Sequence, residues 1–176
     1  YFKSAYKILL PPEARKVTER LKVIPGFSDV ENVILEKINR GAEDAATKAK
    51  PIFISAIKSI TLNDVFNILM GADDAATQYL KNATYSSLYS EFNPVIVNSL
   101  NKFNAIEYWS KATNAYNNIP LVQHVNPKLD DYVTNQALDG LFKMVANEEK
   151  EIRRNPVKRI SELLRKVFAK QDSNRN

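Results

Sequence analysis

No cysteine occurs among the 176 residues. Disulfides, thiolate metal sites and a cysteine nucleophile are therefore excluded. The compartment stays open, because oxidising compartments permit disulfides without requiring them. Histidine is almost as scarce. His124 is the only one, so a histidine-rich zinc site or a histidine-dependent triad would rest on that residue alone. Glycine occurs four times, which argues against a glycine-rich nucleotide loop, and no P-loop, dinucleotide fingerprint, HExxH or GxSxG pattern is present. The alternating-Asp loop of an EF-hand is also missing. No window approaches 18 consecutive apolar residues, so no helix is expected to span a bilayer. No catalytic residue, metal site or cofactor is assigned from these patterns.

What is present suits an ordinary globule. The hydrophobic fraction of 44% and the charged fraction of 26% support a buried core without staples. The net charge of +5 is uneven. Residues 1–142 carry fifteen Lys/Arg and fifteen Asp/Glu, whereas the segment from Lys143 onward carries ten against five. Such an excess attracts anionic surfaces, whether lipid headgroups or nucleic acid; a solvated helix face with a tail is the plainer explanation. The first residue is Tyr1 rather than Met, as expected of a processed or trimmed product.

The periodicity predicts an all-α single domain of about seven or eight helices, with an arm over 1–10, a helical domain over 11–169 and a disordered tail over 170–176. Tyr1, Phe2 and Tyr6 are the arm's candidate anchors. Pro11-Pro12 opens a helix through Ala14, Val17, Leu21 and Ile24, and Pro25-Gly26 ends it. Ser28-Asp29-Val30-Glu31 is a capping-box pattern. Val30, Ile34, Ile38, Ala42, Ala45 and Ala49 then line a long helix over 28–49, which Lys50-Pro51 kinks or ends. Residues 52–57 continue as helix. Thr61 starts another that runs through Val65, Phe66 and Leu69.

The chain is organised around the segment from Gly71 to Leu80. Gly71 suits a left-handed helix stop, and Asp73 or Asp74 suits the cap of the next helix. Tyr85, Leu88, Tyr89 and Phe92 form an aromatic stripe, and Pro94 marks a new helix start. Asn117–Leu129 has no helical period and is the longest irregular stretch, a kind of segment that is often functional. Asp130-Asp131 caps a last long helix over 131–153. Asn155-Pro156 starts a terminal one with Val157, Ile160, Leu164, Val167 and Phe168 inward.

Several of these segments stand together in a recognisable order. They are Lys50-Pro51-Ile52-Phe53, the stretch from Gly71 to Leu80, Leu129-Asp130-Asp131-Tyr132-Val133-Thr134, Ala137-Leu138-Asp139-Gly140-Leu141-Phe142 and Glu148-Glu149-Lys150-Glu151-Ile152-Arg153. Over roughly 8–169 the chain resembles the bacterial family known as domain of unknown function 4197. The resemblance implies an envelope protein, periplasmic or tethered to the outer membrane by a lipidated cysteine upstream of Tyr1. It implies no reaction.

Lys50, Asp73, Asp74, Tyr79, Asp131 and Tyr132 are candidates for a polar pocket. With Asp130, the carboxylates could serve as an acid/base pair or hold a hard cation; helix capping explains the same four aspartates without a ligand. Ile119, Leu121, Val122 and His124, with the basic Arg153, Arg154, Lys158 and Arg159, are candidates for a partner surface. Glu149 and Arg153 stand at i, i+4, as in a helix-surface ion pair. The leading expectation is a non-enzymatic module docking to an envelope protein complex. A lipid or small-ligand carrier is the alternative, with a cavity lined by Tyr85, Tyr89, Phe92, Leu141 and Phe142. An enzyme using the aspartate pairs is the third. Nucleic acid is not expected as a partner.

Overall fold

The computed structural model describes residues 1, 3–12, 14, 30–102, 104–118, 120, 121, 124, 126 and 128–173. Among them the chain is all-α with no strand: α1 Val30–Ala46, α2 Ala49–Lys58, α3 Leu62–Met70, α4 Ala75–Asn101, α5 Ala105–Asn117, α6 Leu129–Arg154 and α7 Glu162–Ser173, with a 3-10 turn at Pro156–Lys158. Of the helix expected from Pro12 to Ile24 only Pro12 and the fully buried Ala14 are described, and Ser28-Asp29 of the expected capping box lie outside the described residues. Contacts group the chain into two compact units, Tyr1–Ala49 with Leu88–Gly140, and Lys50–Ser87 with Leu141–Asn176. Helices α4 and α6 contribute residues to each.

The first unit is built on small residues. Ile38, Ala42 and Ala45 of α1 are fully buried. A Cβ on Gly41 would lie 3.0 Å from the Ser99 side chain, and the Ser99 hydroxyl donates to the Lys37 carbonyl at 3.2 Å. Gly41 thus lets α1 approach the later part of α4 closely. Leu88, Phe92, Ile96 and Leu100 recur every fourth residue on that part of α4, all fully buried. Leu129, Val133, Ala137 and Leu138 bury the matching face of α6.

Asn39 supplies partners for the arm's backbone at Ile8. The Ile8 N–H donates to Asn39 Oδ1 at 2.8 Å, and Asn39 Nδ2 donates to the Ile8 carbonyl at 2.9 Å and to the Leu35 carbonyl at 2.7 Å. A fully buried side-chain amide thereby satisfies both polar groups of a buried arm residue. Tyr1 anchors the arm as expected, donating its hydroxyl to the Ala137 carbonyl at 2.5 Å. Burial raises the Tyr1 phenol well above its ordinary range.

Two prolines fall at helix positions where the missing N–H is tolerated. Pro51 sits in the first turn of α2, where that N–H would have no intrahelical partner. The expected long helix over 28–49 therefore breaks earlier, at a turn over Thr47 and Lys48. Pro94 does not start a helix; it lies inside the continuous α4. It is on the exposed side, where water can serve the carbonyl that the ring leaves without a donor.

In the second unit, Phe142 sets the core between α2 and α4. Its ring meets Phe53 edge-on at 5.9 Å and stacks on Tyr85 at 6.4 Å. Helix α3 contacts α7 and opens with a capping box. The Asp64 N–H donates to Thr61 Oγ1 at 3.2 Å, and the Thr61 hydroxyl and N–H donate to the Asp64 carboxylate at 2.7 and 3.1 Å. Those two bonds hold the Asp64 carboxyl below the usual carboxylate range. A depressed folded-state value contributes stability that is complete above the unfolded aspartate value and lost as pH falls through the folded one. An NMR titration should find the Asp64 midpoint below that of free aspartate, and Thr61→Ala should raise it. Equal midpoints in both proteins would remove this account.

Candidate functional site

The joint between α3 and α4 carries the densest polar geometry in the second unit. Gly71 ends α3 with φ −79° and ψ −170°, so it is extended rather than left-handed. Glycine is needed there for space: an added Cβ would lie 2.7 Å from the Asn67 carbonyl oxygen and 2.8 Å from Ala75 Cβ. The sharp break leaves the last carbonyls of α3 and the first N–H groups of α4 without helical partners. Glu149 and Arg153, both on α6, supply them.

The Ala76 N–H donates to Glu149 Oε1 at 2.8 Å, and the Thr77 N–H and hydroxyl donate to Oε2 at 2.8 and 2.7 Å. Arg153 reaches the other side of the break, donating to the Ile68 and Leu69 carbonyls at 2.7 and 3.1 Å. Its Nε and Nη2 also meet Glu149 Oε1 at 2.9 and 2.7 Å. The carboxylate thus faces a positive helix end and the guanidinium a negative one. Glu149 is 9% exposed and Arg153 only 1%, so this is not the expected helix-surface pair.

Arg159 has a similar role. Buried, it donates to the Ile152 and Arg153 carbonyls at 3.0 and 2.9 Å and so caps the end of α6. The Phe168 ring lies 5.6 Å from the Arg153 guanidinium and 5.4 Å from that of Arg159. Two of the four expected basic surface residues are therefore interior caps. Arg154 is exposed and pairs with Asp73, and Lys158 is exposed.

The remaining candidates divide between the units. Lys50, Asp73, Asp74 and Tyr79 belong to the second, Asp131 and Tyr132 to the first. Asp74 accepts from the Gln78 side chain at 3.0 Å, while Glu149 takes the helix N–H groups that the aspartates were expected to cap. Asp130 and Asp131 lie inside the first turn of α6, after Leu129. Asp130 accepts from Asn93 at 3.3 Å. Asp131 accepts from Tyr89 at 2.6 Å, from Asn135 at 3.2 Å and from Asn126 at 3.3 Å. Tyr132 donates to the Leu9 carbonyl at 3.1 Å. These groups serve structural partners. Among the described residues, no three His, Cys, Asp or Glu cluster as metal ligands.

An open groove of about 480 Å³ lies beside α2 and α4, lined by Pro51, Ile52, Ser55, Ser59, Tyr79 and Thr84 among others. Of the expected pocket residues only Tyr79 lines it. Of the residues expected around an apolar cavity, Phe92 and Phe142 are buried, Leu141 is half-buried, Tyr85 stacks on Phe142 and Tyr89 donates to Asp131.

The Trp109 indole donates to the Asn126 carbonyl at 3.0 Å. Leu121 is fully exposed at φ 65°, a left-handed conformation that a bulky residue rarely adopts. His124 is exposed. Ile119 and Val122 lie outside the described residues.

Sequence reasoning missed the main apolar surface. Leu62 is 90% exposed and Phe66 64%, with Val65, Met70 and, on α2, Ile54 and Ile57 also exposed. Leu62, Phe66 and Met70 repeat at four-residue spacing along α3, which makes a ridge. Val157 and Ile160, expected inward, are exposed as well. The available signal was the composition of α3, a nine-residue helix in which six residues are apolar. One face of so short a helix cannot bury them all.

The model of the family described as "Protein of unknown function (DUF4197)" matches residues 1–169. No curated protein and no solved structure matches the chain.

Proposed function

The chain belongs to the DUF4197 family, whose function is unknown, and we propose that it is a non-enzymatic docking module of the bacterial envelope. It meets a membrane-associated assembly through the α3 ridge. The observation that carries this reading is the exposure of Ile54, Ile57, Leu62, Val65, Phe66 and Met70 on two consecutive helices. Large apolar side chains left exposed in such number mark interaction sites more often than free surface. Asp73, Asp74, Asp130, Asp131 and Tyr132 each bond a side chain or carbonyl of the fold, which favours docking over chemistry.

Fractionation of cells producing the chain tests the reading. The wild-type chain is expected to sediment with membranes. Leu62→Ser combined with Phe66→Ser should cut that fraction about tenfold or more, since each side chain gives up roughly 1.5–3 kcal/mol of apolar burial. An unchanged distribution in the double variant would overturn it.

A further inference from the structure

We infer that the ridge docks directly on an anionic phospholipid surface, its apolar side chains entering the headgroup region and exposed lysines of the same unit meeting lipid phosphates. The inference rests on the docking reading above and names its partner.

Charge separates this partner from others. The second unit carries thirteen Lys/Arg against eight Asp/Glu, while the first carries twelve of each. The whole net charge of +5 thus belongs to the unit that holds the ridge. Lysines also interrupt the exposed apolar stretches. Lys58 lies between Ile57 and Leu62, and Lys158 between Val157 and Ile160; both are exposed. Neither has an ion-pair partner among the described residues. The one carboxylate within α3, Asp64, is tied to Thr61.

A second copy of the chain would bring these cations together across an isologous contact, where like charges repel. A bilayer with anionic headgroups complements both features at once. Geometry agrees: Leu62 to Met70 covers about 12 Å along the helix, far short of a bilayer span but suited to lying in its surface. Among the described residues no single helix is long and apolar enough to cross a membrane.

Sedimentation of the purified chain with phosphatidylcholine vesicles, with and without about 30% phosphatidylglycerol, tests the inference. Binding is expected to the mixed vesicles, at least tenfold tighter than to the neutral ones. It should weaken severalfold on raising the salt from about 0.1 to about 0.5 M. Lys58→Gln and Lys158→Gln should each cost about fivefold, and Leu62→Ser with Phe66→Ser should abolish it. All four positions are exposed, so circular dichroism should show the variants folded. As a second readout, Phe66→Trp should be quenched by brominated lipid, while the buried Trp109 is not. Equal affinity for neutral vesicles would overturn the anionic surface as partner, and no binding to either would overturn lipid docking. If the double serine variant still leaves the cell membrane fraction in that case, docking to protein stands. If sedimentation equilibrium shows a dimer that Leu62→Ser with Phe66→Ser dissociates, the partner is a second copy.

Discussion

Replacing Arg153 with alanine is expected to destabilise the protein by about 3–5 kcal/mol, because it leaves Glu149 buried without its cation. At this chain length that corresponds to a melting-temperature fall of roughly 6–20 °C. The loss is more than one ion pair. The guanidinium holds the Glu149 carboxylate and two carbonyls at the end of α3, and the carboxylate holds two N–H groups at the start of α4. Arg153→Lys should recover little, since a single ammonium cannot span a carboxylate and two carbonyls as the planar fork does. A double-mutant cycle with Glu149→Ala, followed by urea unfolding, measures the coupling. The two losses should be strongly non-additive, because either one disables the shared joint. A change below about 0.5 kcal/mol for Arg153→Ala would match an exposed pair and would refute the capping role.

Asn39→Ala is the next largest expected effect, at about 2–4 kcal/mol. It removes the partners of the Ile8 N–H and carbonyl, each costing about 1–3 kcal/mol if left unsatisfied. Part of that cost is avoided if the arm detaches and water takes both groups. The prediction therefore has two readouts. Global stability falls, and the Ile8 amide exchanges with solvent much faster than amides of the Leu88–Leu100 face, which remain protected. Retention of Ile8 protection in the variant would show that something other than Asn39 holds the arm.

The buried face of α4 was legible because Leu88 and Phe92 stand on an apolar period of four, and the alanines of α1 because only small residues continue that stripe. The break at Gly71 was legible as a break. Its capping was not. Asp73 and Asp74 carry the right chemistry next to the helix start, and local reasoning assigns the cap to them. Glu149 wins it from more than seventy residues away, because α6 brings a carboxylate to the N–H groups while Arg154 engages Asp73. Pro94 misled for the opposite reason: local rules predict a boundary, and a solvent-facing position makes the lost hydrogen bond tolerable.

Sequence alone determined the all-α class, the family and the absence of cysteine chemistry, since composition, period and motif order do not depend on how helices meet. It also put the excess positive charge late in the chain. Tertiary structure decided which of those charges are interior: Glu149, Arg153 and Arg159 read as a solvated cluster until unsatisfied helix ends are brought against them, and a buried backbone group must find a partner. It likewise decided that Leu62 and Phe66 face outward. A helical period says that residues share a face, and only the arrangement of neighbours says whether that face is covered.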